Sequence, residues 1–354
     1  MGASGVGLKI LGIETSCDET AIGVVEDGAR LRSNIIASQV ALHSPHGGVV
    51  PEVASRQHIR DMVPALEASL SESGLGLEDL DLISVTYGPG LAGSLITGLN
   101  TAKALAFSVG IPLVGVNHLE GHIYASWLVS GRPSPAEDPG FPLACLVASG
   151  GHTDLILMEG HGVYKLVGRT RDDAAGEAFD KAARILGLGF PGGPEIQRVA
   201  EAAMGEGVPR LPRAWLGDSL DFSFSGVKTA LLHLAQERDV YPQESSGLEL
   251  REFGRLVAEL AASFQSSVVD VIVAKLLKMA KQYRAKGLVL GGGVTANASL
   301  RREISARSPL PVIMPPPILC TDNGAMIACC AYYQYQRGEE FGMDLDIDPA
   351  LPLG

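Results

Sequence analysis

The chain has 354 residues, 46% of them apolar and 19% charged, with 43 glycines. That is enough for two domains of ordinary size, and the balance excludes a disordered or fibrous protein. A net charge of −12 excludes indiscriminate binding of nucleic acid over the whole surface, so a polyanion would need a local basic patch or a partner to supply one.

Residues 1–7 read as a short Gly-rich tail with no secretory signal. Residues 8–14 (LKILGIE) begin a strand, and 21–26 (AIGVVE) look like its hairpin partner. The turn between them, Thr15 to Thr20, is dense in hydroxyls and acids. Helical periodicity predicts helices over 56–70, 91–108, 174–187, 255–284 and 323–335, and strands are expected at 81–86, 112–116, 287–290 and 311–314. Between Asp81 and Glu120 the only charge is Lys103. Gly88-Pro89-Gly90, Gly93 and Gly98 interrupt that stretch, so it reads as buried strand, turn and buried helix, with no membrane span.

His118 and His122, in Asn117-His118-Leu119-Glu120-Gly121-His122, lie one above the other if the segment is helical, and both imidazoles can then face one ion. A zinc peptidase would carry His-Glu-x-x-His with the Glu as base. Here Glu120 falls roughly 200° around the helix from His118, away from the metal face, which argues against peptide hydrolysis.

A second strand–turn–strand unit follows at 143–158, with Ala148-Ser149-Gly150-Gly151-His152-Thr153 at its tip. Two such units suggest a duplicated architecture. The small residues let backbone N–H groups approach an anion. Residues 130–140 and 239–250 read as surface loops or a hinge. Asp173, Glu177 and Asp180 are spaced to share a helix face, and ribose hydroxyls would satisfy Asp180. Phe190-Pro191-Gly192-Gly193-Pro194 reads as a rigid turn. The strand 287–290 runs into Gly291-Gly292-Gly293 and then a helix, a credible phosphate or adenosine cradle. Lys275 to Lys286 is the candidate basic face. Thr321-Asp322-Asn323 reads as the cap of the last helix. Cys17, Cys145, Cys320, Cys329 and Cys330 show no paired or zinc-ribbon spacing and read as reduced thiols of a cytoplasmic protein.

Taken together, GIETSCDET at 12–20, GGVVPEVASRQH at 47–58, NHLEGH at 117–122, SGGHT at 149–153, DDAAGEAFDKAARILGL at 172–188, DFSFSGVKTA at 221–230, GGGVTANASLR at 291–301 and CTDNGAMIA at 320–328 resemble one family. It is the tRNA N6-adenosine threonylcarbamoyltransferases of the TsaD branch, long misnamed O-sialoglycoprotein endopeptidases. The likeness runs from about residue 8 to residue 335 and departs slightly at Ala148, where many relatives show Val.

The resemblance implies an α/β actin/Hsp70/sugar-kinase-like fold with two related lobes around a nucleotide cleft. We place those lobes at 8–128 plus 318–345 and at 129–317, with tails at 1–7 and 346–354. It implies one divalent metal per subunit, iron or zinc, on His118, His122 and Asp322. It places substrate contacts at Val147, Ala148, Ser149, Gly150, Gly151, Asp180, Gly193 and Asn297, and makes Asp18 and Glu19 important for catalysis. The implied reaction moves threonylcarbamoyl from L-threonylcarbamoyl-AMP to N6 of adenosine 37 in ANN-decoding tRNAs, releasing AMP. TsaB, pairing through helix 91–108, and TsaE are the implied partners. The rival readings are a small-molecule kinase of the same fold, which needs no His pair, and an adenine-nucleotide-dependent partner-binding switch.

Overall fold

A computed structural model describes residues 7–129, 134–203 and 209–353. Residues 1–6 and 354 of the expected tails, and 130–133 of the expected loop, lie outside them. The chain divides into two compact units. Unit 1 comprises Met1–Asp138, Gly160–Val163 and Ile318–Gly354, and unit 2 comprises Pro139–Glu159 and Tyr164–Pro317.

Unit 1 is built on β1 (Lys9–Glu14), β2 (Glu19–Glu26), β3 (Arg30–Ser38), β4 (Leu82–Gly88) and β5 (Leu113–Asn117), in the order β3-β2-β1-β4-β5. The β1–β2–β3 pairs are antiparallel, and β4 and β5 add in parallel. Its early helices are α1 (Val40–His43), α2 (Pro51–Ser73), α3 (Ala92–Val109) and α4 (His118–Tyr124). Side chains alternate across a strand, and both faces of β1 and β2 are covered. Leu11, Ile13, Ile22 and Val24 pack with Met62 and Ala65 of α2 and with Leu99 and Ala102 of α3.

The opposite face carries Gly12 and Gly23, which pair directly in the β1–β2 register. A Cβ on Gly12 would lie 2.2 Å from the carbonyl oxygen of Gly324, and one on Gly23 would lie 2.6 Å from Ala325 N. This backbone-to-backbone approach seats the first turn of a late helix (Gly324–Gln336) on the strands. Residues 346–353, grouped with the tails above, also join unit 1. Asp348 N donates to Tyr87 O at 2.8 Å, and Asn117 Nδ2 donates to Pro352 O at 3.0 Å.

Unit 2 repeats the plan with β6 (Leu143–Ala148), β7 (Thr153–Gly160), β8 (Val163–Arg169), β9 (Gly287–Gly291) and β10 (Val312–Ile313), in the order β10-β9-β6-β7-β8. An antiparallel hairpin, β6–β7, is again flanked by two parallel strands. Its helices are α5 (Ala175–Ile185), α6 (Gly192–Ala200), α7 (Ser225–Glu237), α8 (Leu250–Gln282) and α9 (Ala298–Arg307). Short α10 (Pro317–Cys320) and α11 (Gly324–Gln336) close the sequence of helices. The matching strand orders are the duplicated α/β architecture expected from the two hairpins.

The core of unit 2 joins Leu146, Leu155, Leu157, Leu288 and Leu290 to Phe179, Phe264, Val268 and Ile272. α8 is long and apolar enough to cross a membrane, but 78% of its most apolar window is buried inside the fold, as befits a core helix. The segment 190–194 corrects the expectation of a turn. Gly192 and Gly193 open α6, with Pro194 still in the first turn, where its missing N–H costs nothing.

Candidate metal and adenylate site

In unit 1, α4 begins directly after β5. The Asn117 side chain caps it, accepting from Leu119 N at 2.9 Å. His118 and His122 are therefore one turn apart, with ring centroids 4.6 Å apart. Asp322 lies just before α11, where Asn323 is the cap. Asn323 Oδ1 accepts from Met326 N at 2.9 Å and its Nδ2 donates to Thr321 O at 2.8 Å. With α11 seated on Gly12 and Gly23, this cap sets the position of Asp322.

One ligand atom from each of His118, His122 and Asp322 falls within 4.8 Å of the other two. Asp322 Oδ1 is 3.1 Å from His122 Nε2 and 3.7 Å from His118 Nε2. Two ligands at metal-bond length in a tetrahedral shell stand about 3.4 Å apart. The three residues thus fit a single transition-metal ion. A further observation agrees. Both ring nitrogens of His122 are fully buried and neither meets the full geometry of a hydrogen bond, Nε2 standing 3.1 Å from Asp322 Oδ1. A buried imidazole left unsatisfied in this way is costly, and a lone pair aimed at a shared point is what a metal ligand requires.

Burial, and then the neighbouring His118, hold His122 below its usual pKa, so it is neutral. Burial also opposes charge on His118, but the Glu14 and Asp322 carboxylates outweigh it and raise the imidazole to about 9. Burial pushes Glu14 up, yet His118 brings it below the usual carboxylate range. Glu120 points away as expected, accepting from Gln334 Nε2 at 3.1 Å.

Asp18 and Glu19 stand at the β1–β2 turn, half-buried. Glu19 accepts from Ser38 Oγ at 3.2 Å. Burial, then the Asp322 and Asp18 carboxylates, push it up to about 9. The same turn is fastened from beneath by His58, whose Nε2 donates to Cys17 O at 3.0 Å while its Nδ1 accepts from Thr20 Oγ1 at 2.7 Å. Burial and nearby carboxylates drive the Cys17 thiol far above its ordinary range, which leaves it protonated.

In unit 2, the register pairs Val147 with Gly291, so the two Gly-rich loops leave adjacent strand ends. Gly292 has φ +89°, and a Cβ there would lie 2.4 Å from Ala148 O. Gly176 N, at the start of α5, donates to Ser149 O at 3.0 Å. A Cβ on Gly150, Gly151 or Gly193 would meet nothing within 4 Å, so those backbones face open space. Asp180 Oδ1 accepts from Gly192 N at 2.6 Å, capping α6. Asn297 caps α9 through Leu300 N at 3.0 Å and donates from Nδ2 to Gln265 Oε1 at 2.8 Å. Val147, Ala148, Ser149, Gly150, Gly151, Asp180, Gly193 and Asn297 thus belong to connected segments of unit 2.

Of the acids expected to share a helix face, Asp173 lies before α5 and Glu177 is exposed on it. Asp173 and Glu177 both pair with Lys181, at 2.6 and 2.9 Å, and Asp173 also pairs with Lys228 at 2.5 Å. Asp172 accepts from Ser225 Oγ at 2.6 Å and Phe224 N at 2.8 Å. The motifs at 172–188 and 221–230 therefore clamp each other. The basic segment needs correction as well. Lys275 is buried, donating to Asp221 O with its ammonium 5.5 Å from the Phe222 ring, and Lys278 donates to Asp218 O at 2.6 Å. Lys281, Arg284 and Lys286 remain exposed. Sequence reasoning missed Glu14, Ser16, Thr86, His58 and Gln265. Only Glu14, an acid ending an apolar strand, gave a signal.

The family model for TsaD, tRNA N6-adenosine threonylcarbamoyltransferase, matches residues 30–329. A protein of that name from Thermomicrobium roseum is 56% identical over 353 residues, covering 97% of this chain and 96% of its own. Its counterpart from Dehalococcoides mccartyi is 54% identical, covering 98% and 99%. Among solved structures, the chain is similar to component A of the Acidaminococcus fermentans (R)-2-hydroxyglutaryl-CoA dehydratase. There the TM-score is 0.52 at 14% identity, over 93% of this chain and 99% of that one. It is also similar to HypF from T. kodakarensis, with a TM-score of 0.56 at 13% identity, over 94% and 48%. These two likenesses concern the fold alone.

Proposed function

We infer the reaction from one premise: the chain belongs to the tRNA N6-adenosine threonylcarbamoyltransferase family. It is a transferase of the actin/Hsp70/sugar-kinase fold, and it forms threonylcarbamoyladenosine in tRNA. The finer reading takes L-threonylcarbamoyl-AMP as donor and N6 of adenosine 37 in ANN-decoding tRNAs as acceptor, with AMP released in a cytoplasmic reaction. Family membership along nearly the whole chain is the observation that carries it.

An exocyclic adenine amine is a weak nucleophile because its lone pair is drawn into the ring. The protein must therefore activate the electrophile and place the reactants, and placement alone can lower a barrier by several kcal/mol, up to about 7–11. His118, His122 and Asp322 are the residues that would hold the metal, iron in the first instance and zinc as the alternative. Three protein ligands leave a coordination position open, and a bound divalent ion would polarise donor oxygens as a Lewis acid.

The open backbone of Gly150 and Gly151, where an added Cβ would meet nothing within 4 Å, supplies N–H donors to the adenylate phosphate, in a turn closed by Ser149 N donating to His152 O at 2.8 Å. Val147 and Ala148 set the strand end from which that turn leaves. Asp180 accepts from ribose hydroxyls beside Gly193. Asn297 still has its second amide N–H, one being used on Gln265, to orient the adenine. Asp18 and Glu19 stand at the β1–β2 turn as the carboxyl groups assigned to catalysis, Glu19 pushed up to about 9 by burial and then by the Asp322 and Asp18 carboxylates.

TsaB is the partner proposed for the outer face of α3. Ile96 and Phe107 are exposed there, as are Ile59 and Val63 on α2. TsaE is required in addition. Because the chain is acidic and part of its basic segment is spent internally, these partners contribute to holding tRNA.

The test is a reconstitution of the chain with its partners, tRNA and labelled L-threonylcarbamoyl-AMP. Label transfer to N6 with tRNA-dependent AMP release is expected. Phosphate transfer from ATP to a small molecule, with no label in tRNA, would overturn the reading in favour of a kinase.

A further inference from the structure

We propose that Glu14 is a positioning residue that fixes the tautomer and tilt of His118, so that its Nε2 lone pair is the one offered to a metal. This rests on the metal reading of His118, His122 and Asp322 above. Glu14 ends β1, is completely buried, and lies 3.0 Å through Oε2 from His118 Nδ1. Ser16 Oγ stands 3.1 Å from the same nitrogen. A carboxylate can only accept, so Nδ1 carries a hydrogen in the neutral ring and in the imidazolium alike, and Nε2 is the nitrogen whose lone pair metal binding would take. That atom is the one facing Asp322.

Glu14 is itself held rigidly. Oε2 accepts from Thr86 Oγ1 at 2.6 Å and Oε1 from Ser16 N at 2.5 Å. Donors thus approach from β4 and from the turn after β1 as well as from His118. A buried carboxylate is expensive, and a neutral side chain of similar size would fill the space. What such a side chain would not supply is the charge-assisted acceptor that raises a ligating imidazole's basicity. His122 has no such partner, so the two ligands are not equivalent.

The experiment compares metal-depleted wild type, Glu14→Gln and Thr86→Val. Zn2+ affinity is measured against a chromophoric chelator, and the visible spectrum of the Co2+-loaded protein reports ligand geometry. Glu14→Gln is expected to weaken Zn2+ by about 10- to 100-fold and to alter the Co2+ bands. Thr86→Val should weaken it less, in the same direction, and it decides the matter if Glu14→Gln does not fold. Wild-type affinity and spectrum in the variant that folds would overturn the role of Glu14 and leave the metal reading standing. A wild type that takes up no stoichiometric metal would overturn both.

Discussion

Removing the carboxylate of Asp322 should abolish a metal-dependent rise in thermal stability. A ligand that binds only the folded state stabilises it by about 2.7 kcal/mol at a free concentration 100 times its Kd. For a unit of this size each kcal/mol moves the melting temperature by about 2–4 °C, so the expected shift is about 5–10 °C. The comparison is made within each variant, with and without metal, so any cost to the metal-free protein cancels. The Asp322 side chain is 17% exposed and lies 3.1 and 3.7 Å from the histidines. His118 keeps its closer partner Glu14 at 3.0 Å. The assay is calorimetry of wild type and Asp322→Ala, metal-depleted and then with Zn2+ or anaerobic Fe2+, using Mg2+ as the control a His-rich site rejects. An undiminished shift in Asp322→Ala would refute the convergence of the three side chains on one ion.

Asp154, buried on β7 and raised to about 6 from an ordinary 3.8, makes the folded state hold a proton that the unfolded chain has lost. Stability should therefore fall as pH rises from 4 to 6, by at most about 3 kcal/mol. Asp154→Asn should recover that stability at pH 7.5 and differ little at pH 4, as read by urea titration. Gly12→Ala puts a methyl 2.2 Å from a backbone oxygen that cannot move aside. We expect a loss of about 3 kcal/mol or more, measured by the same titration, whereas Gly226→Ala, which meets nothing within 4 Å, should cost far less. Ile59→Asp with Phe107→Asp, both sites exposed, should cost the lone chain under about 0.5 kcal/mol each but abolish co-elution with TsaB in size-exclusion chromatography.

Much of the fold was legible because buried elements carry a strong apolar period. The predicted helix 91–108 is observed at Ala92–Val109, and the predicted strand 287–290 at Gly287–Gly291. The elements that escaped are polar or begin unpromisingly. β3 and β8 are edge strands whose residues are mostly exposed or half-buried, so they lack the alternation that marks a strand. α6 starts with Gly-Gly-Pro, a composition that reads as a turn. It is helical because Asp180, twelve residues earlier, accepts from the backbone of Gly192.

The candidate site divides along a similar physical line. Two ligands on one helix turn are a local pattern, and the i, i+4 spacing of His118 and His122 exposed it. Asp322 has no local signature of ligation, and only the family resemblance named it. Its position depends on α11 sitting against Gly12 and Gly23, a close approach spanning some three hundred residues. Glu14 was harder still, because its role is a matter of register. As the last residue of β1 it faces Ala21 of β2 across one edge, while β4 brings Thr86 alongside and β5 delivers His118 104 residues later. Slipping β1 by one residue would turn that carboxylate to the opposite face of the sheet and put Ile13 where Glu14 accepts from His118. The sheet register that buries Leu11 and Ile13 against α2 and α3 is thus the same constraint that orients His118, and a fault introduced in either should appear in the other.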